Sequence, residues 1–416
     1  MPRLVLMLVA TMAISLTASE TAFSAPIFLD YSGFDTRLSE LAASAGIAAF
    51  SGAEIDTIKA NIKSDLETIY SDFDATFTET DPGGVTDIWF GGTTAPGGLG
   101  VADGIDFGNM VLDDLSRVFS ANFDFIIEAG DARATQIDEL SAALSGTAAH
   151  ELGHNLGLRH HDAYGDLTYT GGTIATGGAQ NAFIMATGST GLSETGRETT
   201  RTFNTHEKVK LSFASGFNAS LPTTLSETAD FASTIAAATA ASALTLDPLA
   251  VVTRSAINIL GEITTSGDSD IFRLDLTSGT TLTADVNNDF SGVFPPGFAN
   301  GNTELRIYDP TGTLVASNTV SAYSGNTFGA GGFGDGFDPA LFNVPITATG
   351  NWFVEVVGEG GATGDYQLLL HADTVTSSTV VPEPSSFALL GVGLMSAGAW
   401  RRRRQRKDQN EKQNAV

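Results

Sequence analysis

Cysteine is absent from all 416 residues. That excludes a disulfide framework, a thiolate metal site, a catalytic thiol, and latency imposed by a cysteine that caps a metal. Positive charge is scarce as well. Of 21 Lys and Arg, Arg3 lies at the start and seven lie between Arg401 and Lys412, which leaves 13 for the rest of the chain against 48 Asp and Glu overall. A body this acidic repels phosphate backbones, so nucleic acid is excluded as a partner. Clustered acids can hold structural Ca2+, although a solvated surface is the commoner use of such residues. Apolar runs are short. Leu4 to Leu16 follows a basic Met1-Pro2-Arg3 and is too short to cross a bilayer; with the small residues behind it, it reads as a signal peptide over 1–24, cut between Ser24 and Ala25.

What the chain has in quantity is glycine, 46 residues, with 13 prolines, which points to many turns and short strands. The length suits two domains with terminal signals. Over 25–217 the pattern predicts an α+β unit. Ile27 to Tyr31 reads as a first strand. Ile55, Ile58, Ile62, Leu66 and Ile69 recur at helical spacing, so Gly52 to Phe73 is expected to be an amphipathic helix. Short strands are expected at Ala75 to Thr78, Thr86 to Phe90, Leu99 to Asp103 and Met110 to Asp113. Thr135 to Leu156 carries Ile137, Leu140, Leu144, Ala148, Leu152 and Leu156 on one stripe, a second helix that Gly157 is suited to end.

Leu221 to Leu249, rich in Ala, Thr and Ser, reads as a linker into a second unit over 223–373. There Ile271 to Leu276, Thr281 to Val286, Glu304 to Tyr308, Trp352 to Val357 and Tyr366 to Leu370 alternate as half-buried strands do, which predicts an antiparallel β-sandwich. Gly325 to Gly336 reads as a loop.

The chain has six histidines, and four of them (His150, His154, His160, His161) fall in one short window. Histidines at i and i+4 on a helix project from one face, so the imidazoles of His150 and His154 can reach one zinc ion. Glu151 is close enough to take a proton from metal-activated water. Gly157 turns the chain so that His160 can return as a third ligand, and three neutral imidazoles leave a position open for water and a substrate carbonyl.

His150-Glu151-Leu152-Gly153-His154-Asn155-Leu156-Gly157-Leu158-Arg159-His160 resembles the metzincin signature at every fixed position. The resemblance implies an exported Zn2+ endopeptidase acting on protein or peptide substrates, with His150, His154 and His160 as metal ligands and Glu151 as general base and later acid. It also implies a methionine turn beneath the metal, for which Met185 in Asn181 to Thr187 is the candidate, and an edge strand that receives the substrate backbone, for which Leu99 to Asp103 is the candidate. Some metzincins carry a Tyr two residues after that Met. Here Thr187 holds the place, so the metal and backbone donors must stabilise the tetrahedral intermediate. His161 and Asp162 read as loop residues that could orient His160, and His206 and His371 as solvent-facing or structural. With no ligand or base expected beyond Met185, the first unit is expected to work without the second.

The runs Gly267 to Phe272, Leu305 to Gly312 and Gly350 to Val356 resemble the pre-peptidase C-terminal domain, which implies a non-catalytic companion. The competing expectation is a surface or matrix-binding protein in which the β-rich unit carries the function and the zinc unit is vestigial. Last, Val381-Pro382-Glu383-Pro384, the apolar stretch Phe387 to Trp400 and the basic run Arg401 to Arg404 together resemble a PEP-CTERM sorting signal over 380–407. This implies a transient inner-membrane anchor and an exosortase-like processing enzyme in a Gram-negative bacterium.

Phe387 to Trp400 falls short of the roughly 20 residues of a comfortable spanning helix, and the arginines hold its end on the cytoplasmic side. Protein from its native host is therefore expected to lack Arg401 to Val416, while a host without an exosortase keeps that tail and retains the protein in the inner membrane. Intact-mass analysis from both hosts decides it, and an arginine cluster still present on mature native protein would overturn the sorting reading.

Overall fold

The computed structural model describes residues 26–92, 98–109, 111–165, 182–186, 192–215, 217, 223–241, 245–246, 254–287, 303–319 and 339–374. The signal-peptide reading, Thr187, the glycine run from Gly325 and the whole C-terminal signal lie outside them. Among the described residues no helix is long and apolar enough to cross a membrane; Phe387 to Trp400 is not among those residues.

The fold mixes helices with several sheets. The chain opens with β1 (Pro26–Asp30), α1 (Phe34–Ser44) and α2 (Gly52–Ile69), followed by β2 (Thr76–Thr78), β3 (Thr86–Trp89), β4 (Gly100–Ala102) and β5 (Leu115–Val118). Then come α3 (Arg133–Asn155), α4 (Glu194–Arg197) and α5 (Thr205–Leu211). The strands form one sheet in the order β2-β1-β3-β5-β4, parallel except for β4, which runs antiparallel at one edge.

In α2 the stripe Ile55, Ile58, Ile62, Leu66 and Ile69 is buried as the spacing predicts, worth on the order of 10 kcal/mol for five such side chains. A capping box starts it, with Ser51 accepting from the Glu54 amide and Glu54 answering to the Ser51 amide. The stripe packs on α3, whose small residues Ala142, Ala143, Ala148 and Ala149 are buried. The Tyr70 hydroxyl, at the end of α2, donates to the Ala149 carbonyl at 3.0 Å.

One expectation for this part fails, and one helix was not expected. Of the strand expected over Met110 to Asp113, Met110 lies outside the described residues and Val111 to Asp113 form no strand, Leu112 and Asp113 being a turn; the next strand is β5, which begins at Leu115. Helix α1 went unforeseen because its N-cap is Gly33, with no side-chain cap to announce it, although Phe34, Leu38, Leu41 and Ala42 do form a buried stripe.

The second part holds β6 (Thr224–Ser226), β7 (Thr239–Ala240), β8 (Thr245–Leu246), β9 (Arg254–Ile263), β10 (Ser269–Leu276), β11 (Thr280–Asn287), β12 (Thr303–Tyr308), β13 (Leu314–Thr319), β14 (Ala340–Pro345), β15 (Gly350–Gly358) and β16 (Gly364–Thr374). They make two sheets, β13-β12-β15-β10-β7 and β14-β11-β16-β9-β6, with β8 pairing to β9. Phe272, Leu305, Trp352 and Val354 of the first sheet and Ile257, Ile259, Leu282 and Leu368 of the second share one apolar core. Strand β15 runs antiparallel to β10 and β12, β13 to β12, β14 to β11 and β16 to β9, while at two margins β7 runs parallel to β10 and β6 parallel to β9. Those short strands come from the stretch read as a linker, so that stretch is partly built into the sheets.

Residues up to Asp373 belong to one compact unit, and two smaller apolar clusters join its two parts. Phe107, Val209 and Phe213 meet Ala256 and Leu369, and Tyr164 meets Ala340 and Phe342.

Helix α3 ends in a Schellman turn: the Gly157 amide donates to the His154 carbonyl and the Leu158 amide to the Gly153 carbonyl, both at 2.8 Å. Gly157 sits at φ +91°, and a Cβ there would lie 2.5 Å from Phe107 Cα. Gly46, after α1, has φ +68° with open space around it. Gly46→Ala is therefore expected to cost only the conformational strain of about 1 to 2 kcal/mol, and Gly157→Ala at least twice as much. Urea midpoints of the two variants check this; equal losses would show that the close approach to Phe107 is not binding.

Candidate metal centre

His150 and His154 project from the last two turns of α3, and His160 begins the single 3-10 turn His160–Tyr164 that follows Gly157. Nε2 of His160 lies 3.1 Å from Nε2 of His150 and 3.1 Å from Nε2 of His154. Nδ1 of His150 faces the Ile184 carbonyl at 2.9 Å, and Nδ1 of His154 faces the Leu158 carbonyl at 2.8 Å. A carbonyl only accepts, so both Nδ1 atoms carry the proton and both Nε2 atoms offer lone pairs to the centre. Burial, and then the neighbouring His154 and His160, hold the His150 pKa well below its usual value, in the neutral form that binds metals.

Lone pairs that converge in this way repel one another unless a cation or proton stands between them. Tetrahedral zinc with bonds of about 2.0 to 2.1 Å sets its nitrogens about 3.3 Å apart, so the separations here fit such an ion.

Glu151 is buried on the neighbouring face, against β4. The Ala102 amide donates to its carboxylate, yet burial outweighs that bond and raises its pKa to about 8. Gly100 makes room for it, since a Cβ there would stand 2.6 Å from Oε1 of Glu151. Residues 100–102 are thus the edge strand expected from Leu99 to Asp103, and they border the glutamate.

Met185 is fully buried against α3, between the levels of His150 and His154 in sequence: a Cβ on Gly153 would come 2.8 Å from its sulfur. Two side chains not foreseen from the sequence hold that turn. The Arg201 guanidinium donates to the carbonyls of Phe183, Ile184 and Ala186 at 3.0 to 3.2 Å and to Gly146 of α3 at 3.0 Å. Glu207, in the capping box of α5, accepts from the Met185 amide at 3.0 Å.

His161 and Asp162 are not ordinary loop residues, and neither His206 nor His371 faces solvent: all four are buried in a polar cluster that crosses between the two parts. Lys210 Nζ of α5 lies 2.9 Å from Asp162 and 3.0 Å from Asp285 of β11. His161 Nε2 and His206 Nε2 each lie 3.2 Å from both carboxylates. His206 Nδ1 meets His371 Nε2 at 3.2 Å. Asn287 accepts from Lys210 at 3.1 Å and from Arg159 at 3.2 Å.

Burial opposes every charge in the cluster. The Lys210 ammonium nevertheless holds Asp162 and Asp285 well below the usual carboxylate range, and the two carboxylates lift His161 to about 10. His161, Asp162 and Asp285 could ligate a metal by spacing, but Lys210 already supplies the cation. None of these contacts adds a ligand or a base beyond Met185, but they surround the histidine turn with side chains from α5 and from the β-rich part. A separate acidic group, Asp230, Asp268 and Asp270, brings carboxylate oxygens within 4.8 Å of one another. Burial raises Asp270 to about 7.

Residues 380–404 match the PEP-CTERM protein-sorting motif. The motif marks export and cell-surface sorting in Gram-negative bacteria and recognition by an exosortase-like processing enzyme. No curated protein matches the chain. Solved structures resemble parts of it weakly. PliG, a periplasmic inhibitor of g-type lysozyme from Salmonella Typhimurium, is 14% identical over 28% of this chain and 87% of its own, with a TM-score of 0.19. The pre-peptidase C-terminal domain of a Bacillus anthracis collagenase is 14% identical over 27% of this chain and 86% of its own, with a TM-score of 0.18. Scores this low carry no argument.

The raised pKa of Glu151 has a sign that can be checked in metal-free protein. The unfolded carboxyl titrates near about 4.3. A folded value of about 8 means that the group's contribution to stability is complete below the unfolded value and is lost as pH rises through the folded one. Glu151→Gln is therefore expected to gain on the wild type between about pH 5 and about pH 9. Urea midpoints in chelator at both pH values measure the gap, and a gap that stays constant would show that the carboxyl is not desolvated.

Proposed function

We propose that the chain is an exported zinc-dependent endopeptidase of the metzincin type, with the β-rich part as a companion of the pre-peptidase C-terminal kind. The observation that carries the reading is the convergence of His150, His154 and His160 on one point through Nε2, with Glu151 beside them on an edge strand. A zinc ion held by the three imidazoles supplies Lewis acidity toward a carbonyl oxygen and toward water.

The chain's own residues do the rest. Glu151 takes the proton of the attacking water and passes it to the departing amine, a shuttle that suits a carboxylate whose proton affinity is raised by burial. Strand β4 offers its open backbone edge to a peptide, which would pair as an added strand and bring its scissile bond past Glu151. Met185 and Arg201 fix the floor under the histidines. For structural Ca2+, Asp230, Asp268 and Asp270 are the candidate ligands, since their carboxylates face one another.

Because Glu151 is a base and not a ligand, Glu151→Gln is expected to keep one zinc per chain while losing nearly all cleavage of a peptide library read by mass spectrometry. His154→Ala is expected to lose both. Near-normal turnover by Glu151→Gln would sink the mechanism, and stoichiometric zinc with no cleavage of any substrate by the wild type would favour the surface-binding alternative.

A further inference from the structure

His150 and His154 ride on a buried 23-residue helix, whereas His160 belongs to a turn of five residues. A turn that short has few hydrogen bonds of its own and takes its position from what surrounds it. Around this one, Asp162 accepts from the Arg159 amide at 2.7 Å, and the Asn204 side chain donates to the Asp162 carbonyl at 2.6 Å. Lys210 and His206 of α5 also reach Asp162, and further contacts come from the β-rich part. Asp285 Oδ1 lies 3.2 Å from Nε2 of His161, the residue next to His160. Asp285 Oδ2 lies 3.0 Å from Lys210 Nζ, which also holds Asp162. Asn287 takes Arg159 on the other side of His160.

We propose that Asp285 of the β-rich part is a positioning residue for the metal centre, holding His160 in register with His150 and His154 through His161, Lys210 and Asp162. The inference rests on the reading of the three histidines as metal ligands. Without the Asp285 carboxylate, Asp162 is the one carboxylate left to Lys210, His161 and His206, and the side chain of His161 is released on the side that faces β11. The backbone that joins it to His160 then loses its outer support, and the third imidazole leaves the geometry set by the helix pair. Partners hydrogen-bonded directly to a ligand typically change metal affinity by about 10- to 100-fold, and Asp285, which acts through the neighbouring His161, is expected at the lower end of that range.

The test uses the purified full chain, stripped of metal and titrated with Co2+ against a chelator, so that affinity and the visible absorption of the bound ion are read together. Asp285→Asn is expected to bind Co2+ about 10-fold or more weakly than wild type and with an altered absorption spectrum. Asn287→Ala, which keeps every charge, is expected to shift both readouts in the same direction by less. Val354→Ala removes apolar volume from the sandwich core away from the cluster, and is expected to lower stability while leaving affinity and spectrum at wild-type values.

If Asp285→Asn does not fold, Asn287→Ala decides the matter. Folded variants with wild-type affinity and spectrum would overturn the positioning role, as would a Val354→Ala that changes the spectrum as much as they do. A wild-type chain that takes up no metal would overturn the metal-centre reading itself and this inference with it.

Discussion

The ammonium of Lys210 is fully buried, and its surroundings are arranged around that fact. Removing a charge of this size from water costs several kcal/mol even after relaxation, so such a group persists only beside opposite charge with its hydrogens satisfied. Asp162 and Asp285 meet the demand, and Asn287 accepts a further hydrogen. The two carboxylates belong to different parts of the fold, one in the histidine turn and one on β11. Docking of the parts and the path of that turn are therefore set by the same interaction. Removing one partner from a buried pair usually costs about 3 to 5 kcal/mol, well above what a single apolar contact between the parts supplies.

A second constraint works locally. Gly157 allows the left-handed step that sends the chain back across the end of α3, and the same turn aims the Leu158 carbonyl at Nδ1 of His154. One turn thus ends the helix, reverses the chain and fixes a tautomer. Helix and turn together present two imidazoles rigidly and a third through a short connection.

Features governed by short-range patterns were legible in the sequence. The isoleucine stripe of α2, the stripe of α3 and the glycine after it follow from helical spacing and from the conformational freedom of one residue, and five of the strands of the β-rich part follow from alternation. The directions of His150, Glu151 and His154 were legible because a helix converts their spacing directly into direction, and the return of His160 because Gly157 ends that helix. Features decided by tertiary contact were not. Asp285 and Asn287 alternate with Leu282, Ala284 and Val286, so a pattern reading assigns them to a wet face; that face is covered, and β11 is buried on both sides. Arg201 and Glu207 stand 16 and 22 residues from Met185, and no local rule links a guanidinium to carbonyls that distant in sequence. Strand β13 was missed for a plainer reason: Leu314 and Val315 are exposed, and they interrupt the alternation that announces a strand.

The split ownership of the buried charges bears on how such a protein can be inherited or rebuilt. Companion domains joined by a flexible tether can be exchanged among enzymes like beads on a string, because neither side keeps the other's accounts of charge. Here Asp285 and His371 from one side complete a group begun by Asp162, His206 and Lys210 on the other. A chimera that carried a foreign β-rich part without an aspartate at that register would leave the buried ammonium with Asp162 as its one carboxylate. The two parts are therefore expected to travel through descent as a matched set, with recombination breakpoints falling outside 159–373 and not between the parts.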